Sequence, residues 1–143
     1  MIRIEKINEG QKIVNYIGHG SVEVWRGSAL TPADAAELIN SDRLSLFVTM
    51  TRLNAYFQDV GTNSLAEALM KAENGGAVAV WVSSGASEPD GQSLMSQQLY
   101  RLLFGGGQAI TIGEAAAKAK TAVGSRDIRR SWVLFGDPAT RLE

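Results

Sequence analysis

Residues 77–82 read Ala-Val-Ala-Val-Trp-Val, an unbroken apolar run bounded by Gly75-Gly76 and by Ser83-Ser84-Gly85. A strand with one wet face alternates polar and apolar residues, whereas a run without alternation fits a strand covered on both faces. That is the situation of a strand inside a parallel sheet. Such a sheet needs helices above and below it, so a chain organised around this segment is α/β.

The rest of the chain supplies those helices. Gln11 to Ile17 is a strand candidate ending at Gly18-His19-Gly20-Ser21, and Leu44 to Met50 is a second. Thr31 as N-cap with Pro32 at the first helical position predicts a helix with Ala35, Leu38 and Ile39 on its apolar face. Ser64-Leu-Ala-Glu67 and Thr111-Ile-Gly-Glu114 are capping boxes. Leu65, Ala68, Leu69 and Ala72 share a stripe after the first, and Ile112, Ala115, Ala116, Ala119 and Val123 after the second. Ser87-Glu-Pro-Asp90 opens a further helix, which buries Met95, Leu99, Leu102 and Leu103 and stops at Gly105-Gly106-Gly107. Ser131 to Phe135 reads as the last strand, closed by Gly136-Asp137-Pro138. The order β-α-β-α-β-α-α-β predicts a single α/β domain over residues 1–143, with a mostly parallel sheet and helices on both faces.

Composition narrows the function. Fourteen Lys and Arg against fifteen Asp and Glu give a net charge of −1, which leaves no positive surplus for broad nucleic-acid or anionic-membrane binding. No stretch approaches the ~20 apolar residues of a membrane span, and the first ten residues hold no signal-peptide apolar block. The chain has no cysteine, and His19 is its single histidine. Disulfides, thiolate chemistry and Cys/His metal clusters are thereby excluded, and neither metal nor cofactor is expected.

In open parallel sheets, ligands bind outside the carboxyl ends of the strands. Four loops are therefore expected at one edge: His19-Gly20-Ser21, Thr51-Arg52-Leu53-Asn54, Ser83-Ser84-Gly85 and Gly136-Asp137. His19, between two glycines, is either an imidazole exposed for proton transfer or a turn residue whose glycines supply positive φ. A histidine base acts on a neighbouring nucleophile, and Ser21, Thr49, Thr51, Ser83 and Ser84 bring hydroxyls near this edge, although no Gly-x-Ser-x-Gly elbow occurs. Gly105-Gly106-Gly107 lacks the Lys-Ser/Thr of a phosphate loop. Arg126, Arg129 and Arg130 read as a solvated face, and Trp25, Trp81 and Trp132 as packing.

Asn15-Tyr-Ile-Gly-His-Gly-Ser21, followed by Leu46-Phe-Val-Thr-Met-Thr-Arg-Leu-Asn-Ala-Tyr-Phe57, resembles the gingipain-type cysteine peptidases of the caspase-like group. The likeness continues through Gly75-Gly-Ala-Val-Ala-Val-Trp81, Ser83-Ser-Gly85 and Glu88-Pro-Asp-Gly-Gln92 to Leu134-Phe-Gly-Asp-Pro138. It implies a three-layer caspase-like sandwich, of which this chain corresponds to the C-terminal half. It also implies that His19 stands at the catalytic base. The family's nucleophile lies in a stretch resembling Thr-Met-Thr-Cys-Leu-Asn-Gly, where this chain reads Thr49-Met-Thr-Arg-Leu-Asn-Ala55. Arg52 thus occupies the cysteine position, and a guanidinium is always protonated and no nucleophile.

Two functions follow from the resemblance. One is a non-catalytic member that binds a peptide or protein partner, with His19 a vestigial base. The other is an active peptidase with His19 as base and a hydroxyl nucleophile. Gly18, Gly20, Thr51, Ser83, Ser84 and Glu88 are candidates for the substrate pocket in either case. Half of a sheet also leaves an open strand edge, which predicts assembly into a homo-oligomer.

Overall fold

The computed structural model describes residues 4–86, 89–107 and 109–142. Its centre is a sheet of β1 (Ile13–Ile17), β2 (Ser45–Met50), β3 (Ala77–Ser83) and β4 (Trp132–Gly136), in that spatial order. β1, β2 and β3 run parallel, with Val14 beside Phe47 and Phe47 beside Val80. β4 runs antiparallel to β3, with Leu134 opposite Trp81. The sheet is mostly parallel, as the sequence pattern implied.

The direction of β4 corrects one expectation. Gly136 pairs with Ala79 near the start of β3, so the Gly136-Asp137 turn lies at the opposite edge from His19. Ser131 comes to the carboxyl edge instead, because Trp132 is opposite Ser83. A five-residue apolar strand carries no signature of its direction; the connection before it decides.

Alternation along the strands splits the core into two layers. Val80 and Val82 join Phe47, Leu38, Leu65 and Leu69 on the face covered by α2 (Pro32–Ala36) and α3 (Leu65–Lys71). Ala79 and Trp81 join Leu46, Val48, Met95, Leu99 and Ala115 on the face covered by α4 (Pro89–Phe104) and α5 (Ile112–Lys120). Every residue of β2 is buried, as a strand covered on both faces requires. Two short helices were not expected, α1 (Ile4–Asn8) and α6 (Arg126–Ser131), and they bury Ile7 and Ile128 in opposite layers. Arg126, Arg129 and Arg130 are exposed on α6, a solvated face.

Helix α2 ends at Ala36, so Ile39 lies beyond it and is 68% exposed rather than buried. Asn40, only 3% exposed, takes over the local ordering. Its Nδ2 donates to the Gly76 carbonyl at 3.1 Å, and its Oδ1 accepts the Gly76 amide at 2.8 Å. The helix start expected at Ser87 and Glu88 falls on residues outside those described.

Thr31, Ser64 and Thr111 all form complete capping boxes, with Asp34, Glu67 and Glu114 at the reciprocal positions. Burial pushes the Glu67 carboxyl up, but two hydrogen bonds from Ser64 and the Lys71 charge outweigh it and hold the group below the usual carboxylate range. A carboxyl lowered by folding binds protons less readily in the native than in the unfolded chain. Its contribution is full above the ordinary carboxylate value of about 4.3 and is lost as pH falls through the lowered native value. Glu67→Gln is expected to flatten the acid limb of stability below about pH 4.5. Urea unfolding from pH 3 to 7 checks this, and identical acid limbs in the two proteins would refute it.

Candidate functional site

The loop after β1 is fixed from its backbone. Tyr16 stacks on the fully buried Trp25, with ring centroids 4.2 Å apart and planes 4° from parallel. The Tyr16 hydroxyl donates to the His19 carbonyl at 2.7 Å, and the Arg26 amide donates to the same carbonyl at 2.8 Å. A bridge between Gly20 and Trp25, with the Ser21 amide on the Val24 carbonyl at 2.9 Å, closes the loop. The histidine backbone is thus held while its side chain is exposed.

Neither flanking glycine has positive φ, which corrects that part of the turn reading. Gly20 is needed for close approach instead. A Cβ there would come within 2.9 Å of the Thr51 hydroxyl oxygen and 3.0 Å of the Val24 carbonyl oxygen. Gly18 is exposed, and a Cβ on it would meet the Tyr16 hydroxyl at 2.8 Å.

His19 and Arg52 both stand just beyond the carboxyl ends of neighbouring strands. Ile17 pairs with Met50, and each of the two residues stands two positions beyond its member of that pair. Arg52 is exposed, and no hydrogen bond or ion pair engages its guanidinium among the described residues. The next residue, Leu53, has φ +61°, a left-handed conformation that turns the chain sharply. Its amide donates to the Gly85 carbonyl at 3.4 Å, and the Ala55 amide to the Ser83 carbonyl at 3.1 Å. Asn54, 1% exposed, donates from Nδ2 to the Ser21 carbonyl. The three strand-end loops are therefore tied to one another through backbone groups and the Asn54 side chain.

The hydroxyls at this edge are mostly occupied or buried. Thr51 is 1% exposed, with an unpartnered hydroxyl turned towards Gly20. Ser83 is fully buried; its hydroxyl donates to the Gly85 carbonyl at 2.9 Å and accepts the Gly85 amide at 3.2 Å. The Ser84 hydroxyl donates to the Ser131 carbonyl at 3.0 Å. Glu88 lies outside the described residues. Among the described residues no group of acidic, histidine or cysteine side chains is placed to hold a metal ion.

A cavity of about 300 Å³ opens beside the imidazole, lined by His19, Gly20, Ser21, Val24 and Arg26. The sequence reading missed Arg26. It comes to the site only through the Gly20–Trp25 bridge, a local fold that no motif announces.

Comparison with known proteins agrees with this architecture. The sequence model of Peptidase family C25 matches residues 3–143. Gingipain R2 and gingipain R1 of Porphyromonas gingivalis are each 31% identical over 152 residues, covering 95% of this chain. This chain spans 20% and 15% of their respective lengths. The crystal structure of the Arg-specific cysteine proteinase gingipain R superposes with a TM-score of 0.81 at 27% identity, over 97% of this chain and 35% of that one. The complex of RgpB pro- and mature domains from the same bacterium gives a TM-score of 0.85 at 24% identity, over 95% of this chain and 35% of that one. The match along nearly all of its length, on a mostly parallel sheet between two helical layers, makes this chain a member of peptidase family C25, the family of the gingipains.

Proposed function

We propose that this chain is a gingipain-family domain that does not hydrolyse peptide bonds and acts by binding a peptide or protein carrying a carboxylate. The observation that carries this reading is Arg52, an exposed guanidinium at the carboxyl end of β2, in a chain with no cysteine. It stands where the family resemblance puts the nucleophile. A planar guanidinium favours bidentate pairing with a carboxylate. Tyr56, Phe57 and Val60 follow on the same loop, 37%, 50% and 105% exposed, and offer apolar contact to a partner. Hydrolysis through Thr51, Ser83 or Ser84 is disfavoured by the burial of Thr51 and Ser83 and by the committed Ser84 hydroxyl.

Assembly is part of the same proposal. β1 pairs with β2 alone among the described strands, leaving its other edge open, and Ile17 on it is 65% exposed. A second copy pairing along β1 covers that edge. Light scattering on the purified chain is expected to show a dimer or larger species, and a stable monomer removes this part.

The binding reading predicts silence across a fluorogenic peptide panel. It also predicts saturable binding of acidic peptides, weakened about tenfold by Arg52→Ala. Turnover abolished by His19→Ala would instead establish a peptidase. Equal peptide affinity with and without Arg52 would take that residue out of the account.

A further inference from the structure

We propose a second ligand site at the pole of the sheet opposite His19, taking a phosphate-type dianion attached to a small apolar body. A cavity of about 550 Å³ opens there, at the amino ends of the parallel strands, within the range of small-molecule sites. Its charged lining is Lys12, Arg43, Arg141 and Asp42, three cations against one acid. Leu44, 39% exposed, and the half-buried Leu142 give it an apolar wall.

Among the described residues two of these cations, Lys12 and Arg43, are left without an acidic partner in an ion pair. Glu9, next to the lining residue Gly10, is taken by Lys6 at 2.8 Å. Glu114 is held below the usual carboxylate range chiefly by the Thr111 backbone hydrogen bond, then by the Lys118 charge, with the Arg141 charge the least of the causes. Like charges gathered around one concavity repel, and an anion between them reverses the sign of that interaction.

The three cations are also carried on fixed backbone. The Lys12 carbonyl accepts the Leu46 amide at 2.9 Å, and the adjacent Gln11 carbonyl accepts the Ser45 hydroxyl at 2.6 Å. Arg43 is held at both ends by the buried Asn40. Its amide donates to the Asn40 carbonyl at 2.9 Å, and its carbonyl accepts Asn40 Nδ2 at 3.3 Å. Arg141 follows Thr140, whose carbonyl accepts the Ile112 amide at 2.8 Å and whose amide donates to the Asp137 carbonyl at 3.1 Å.

Gly10 completes the arrangement. It sits at φ +89°, and a Cβ there would come within 2.7 Å of Arg43 Cδ. The absent side chain leaves room for the Arg43 stem to lie against the backbone. Two guanidinium forks and an ammonium suit the several oxygens of a phosphate better than a single carboxylate. A bare phosphate leaves the wall of Leu44 and Leu142 uncovered, hence the apolar body.

The probe is phenyl phosphate, titrated into the whole chain at constant ionic strength and followed by calorimetry and amide NMR. Saturable binding is expected, with shifts centred on Lys12, Arg43 and Arg141. Inorganic phosphate should bind more weakly and phenol not at all. Arg43→Ala and Arg141→Ala should each weaken binding about tenfold or more, while Arg126→Ala with Arg129→Ala, removing exposed cations of α6, should not. Both lining arginines are exposed, so the variants should fold, and unfolding curves check it. Shifts that scatter over all basic surfaces without saturating, or wild-type affinity in both lining variants, would overturn the proposal. The outcome is independent of Arg52, which lies at the other pole.

Discussion

Trp81→Ala is expected to destabilise the fold by about 3–5 kcal/mol, lowering Tm by roughly 10–20 °C. Trp81 is 1% exposed in the middle of β3, flanked by Val48 on one side and Leu134 on the other. Its ring faces the α4–α5 layer and meets Trp132 edge to face, with centroids 6.1 Å apart. Removing it opens a void between two secondary-structure layers that cannot close without moving a strand. The expected loss is a large part of the roughly 5–15 kcal/mol that stabilises a domain of this kind. Trp81→Phe provides the contrast. The Trp81 indole nitrogen is buried without a hydrogen-bond partner, so phenylalanine removes an unpaired donor as well as volume. That partial offset sets its cost below about 1.5 kcal/mol. Urea unfolding followed by circular dichroism separates the two. Near-equal losses in both variants would mean that packing around Trp81 is not what holds the layers together.

The same segment shows why so much of the fold was legible. Ala-Val-Ala-Val-Trp-Val, six residues long behind Gly75-Gly76, favours a strand covered on both faces, and such a strand calls for helical layers on either side. The capping boxes at Ser64 and Thr111 were legible for the same kind of reason, since each is a local hydrogen-bond exchange written within four residues. What the residues did not announce depended on distant partners. The reversal of β4, which carries Gly136-Asp137 away from His19, follows from how α6 delivers the chain to β3. Arg26 reaches the cavity beside the imidazole because Trp25 bridges back to Gly20. The burial of the Thr51 hydroxyl beneath Gly20 is likewise a matter of packing that the order of hydroxyls near a strand end cannot express. That His19 and Arg52 follow the carboxyl ends of β1 and β2 was readable because it depends only on where those strands end.

The placement of His19 and Arg52 just past adjacent strand ends makes a direct test of the two positions possible, and Arg52→Cys carries it. The parent chain has no cysteine, so every iodoacetamide adduct reports the introduced thiol. Position 52 is exposed, so access does not limit the reaction. An isolated thiol with pKa about 8.5 is roughly 1% thiolate at pH 6.5. If the imidazole at the neighbouring strand end stabilises the thiolate by two pH units, about half is ionised at that pH, some fifty times more. Intrinsic nucleophilicity falls with basicity at a Brønsted slope of about 0.4–0.5, which gives back nearly a factor of ten. Alkylation at pH 6.5 is therefore expected to run roughly 5–10-fold faster in Arg52→Cys than in the same variant carrying His19→Ala. At pH 9.5, where both thiols are mostly ionised, the advantage should vanish or invert. Equal rates at pH 6.5 would show that His19 and position 52, though both at the carboxyl ends of adjacent strands, do not form a working pair. A pH-dependent difference would show that the His19 imidazole and position 52 approach closely enough to interact.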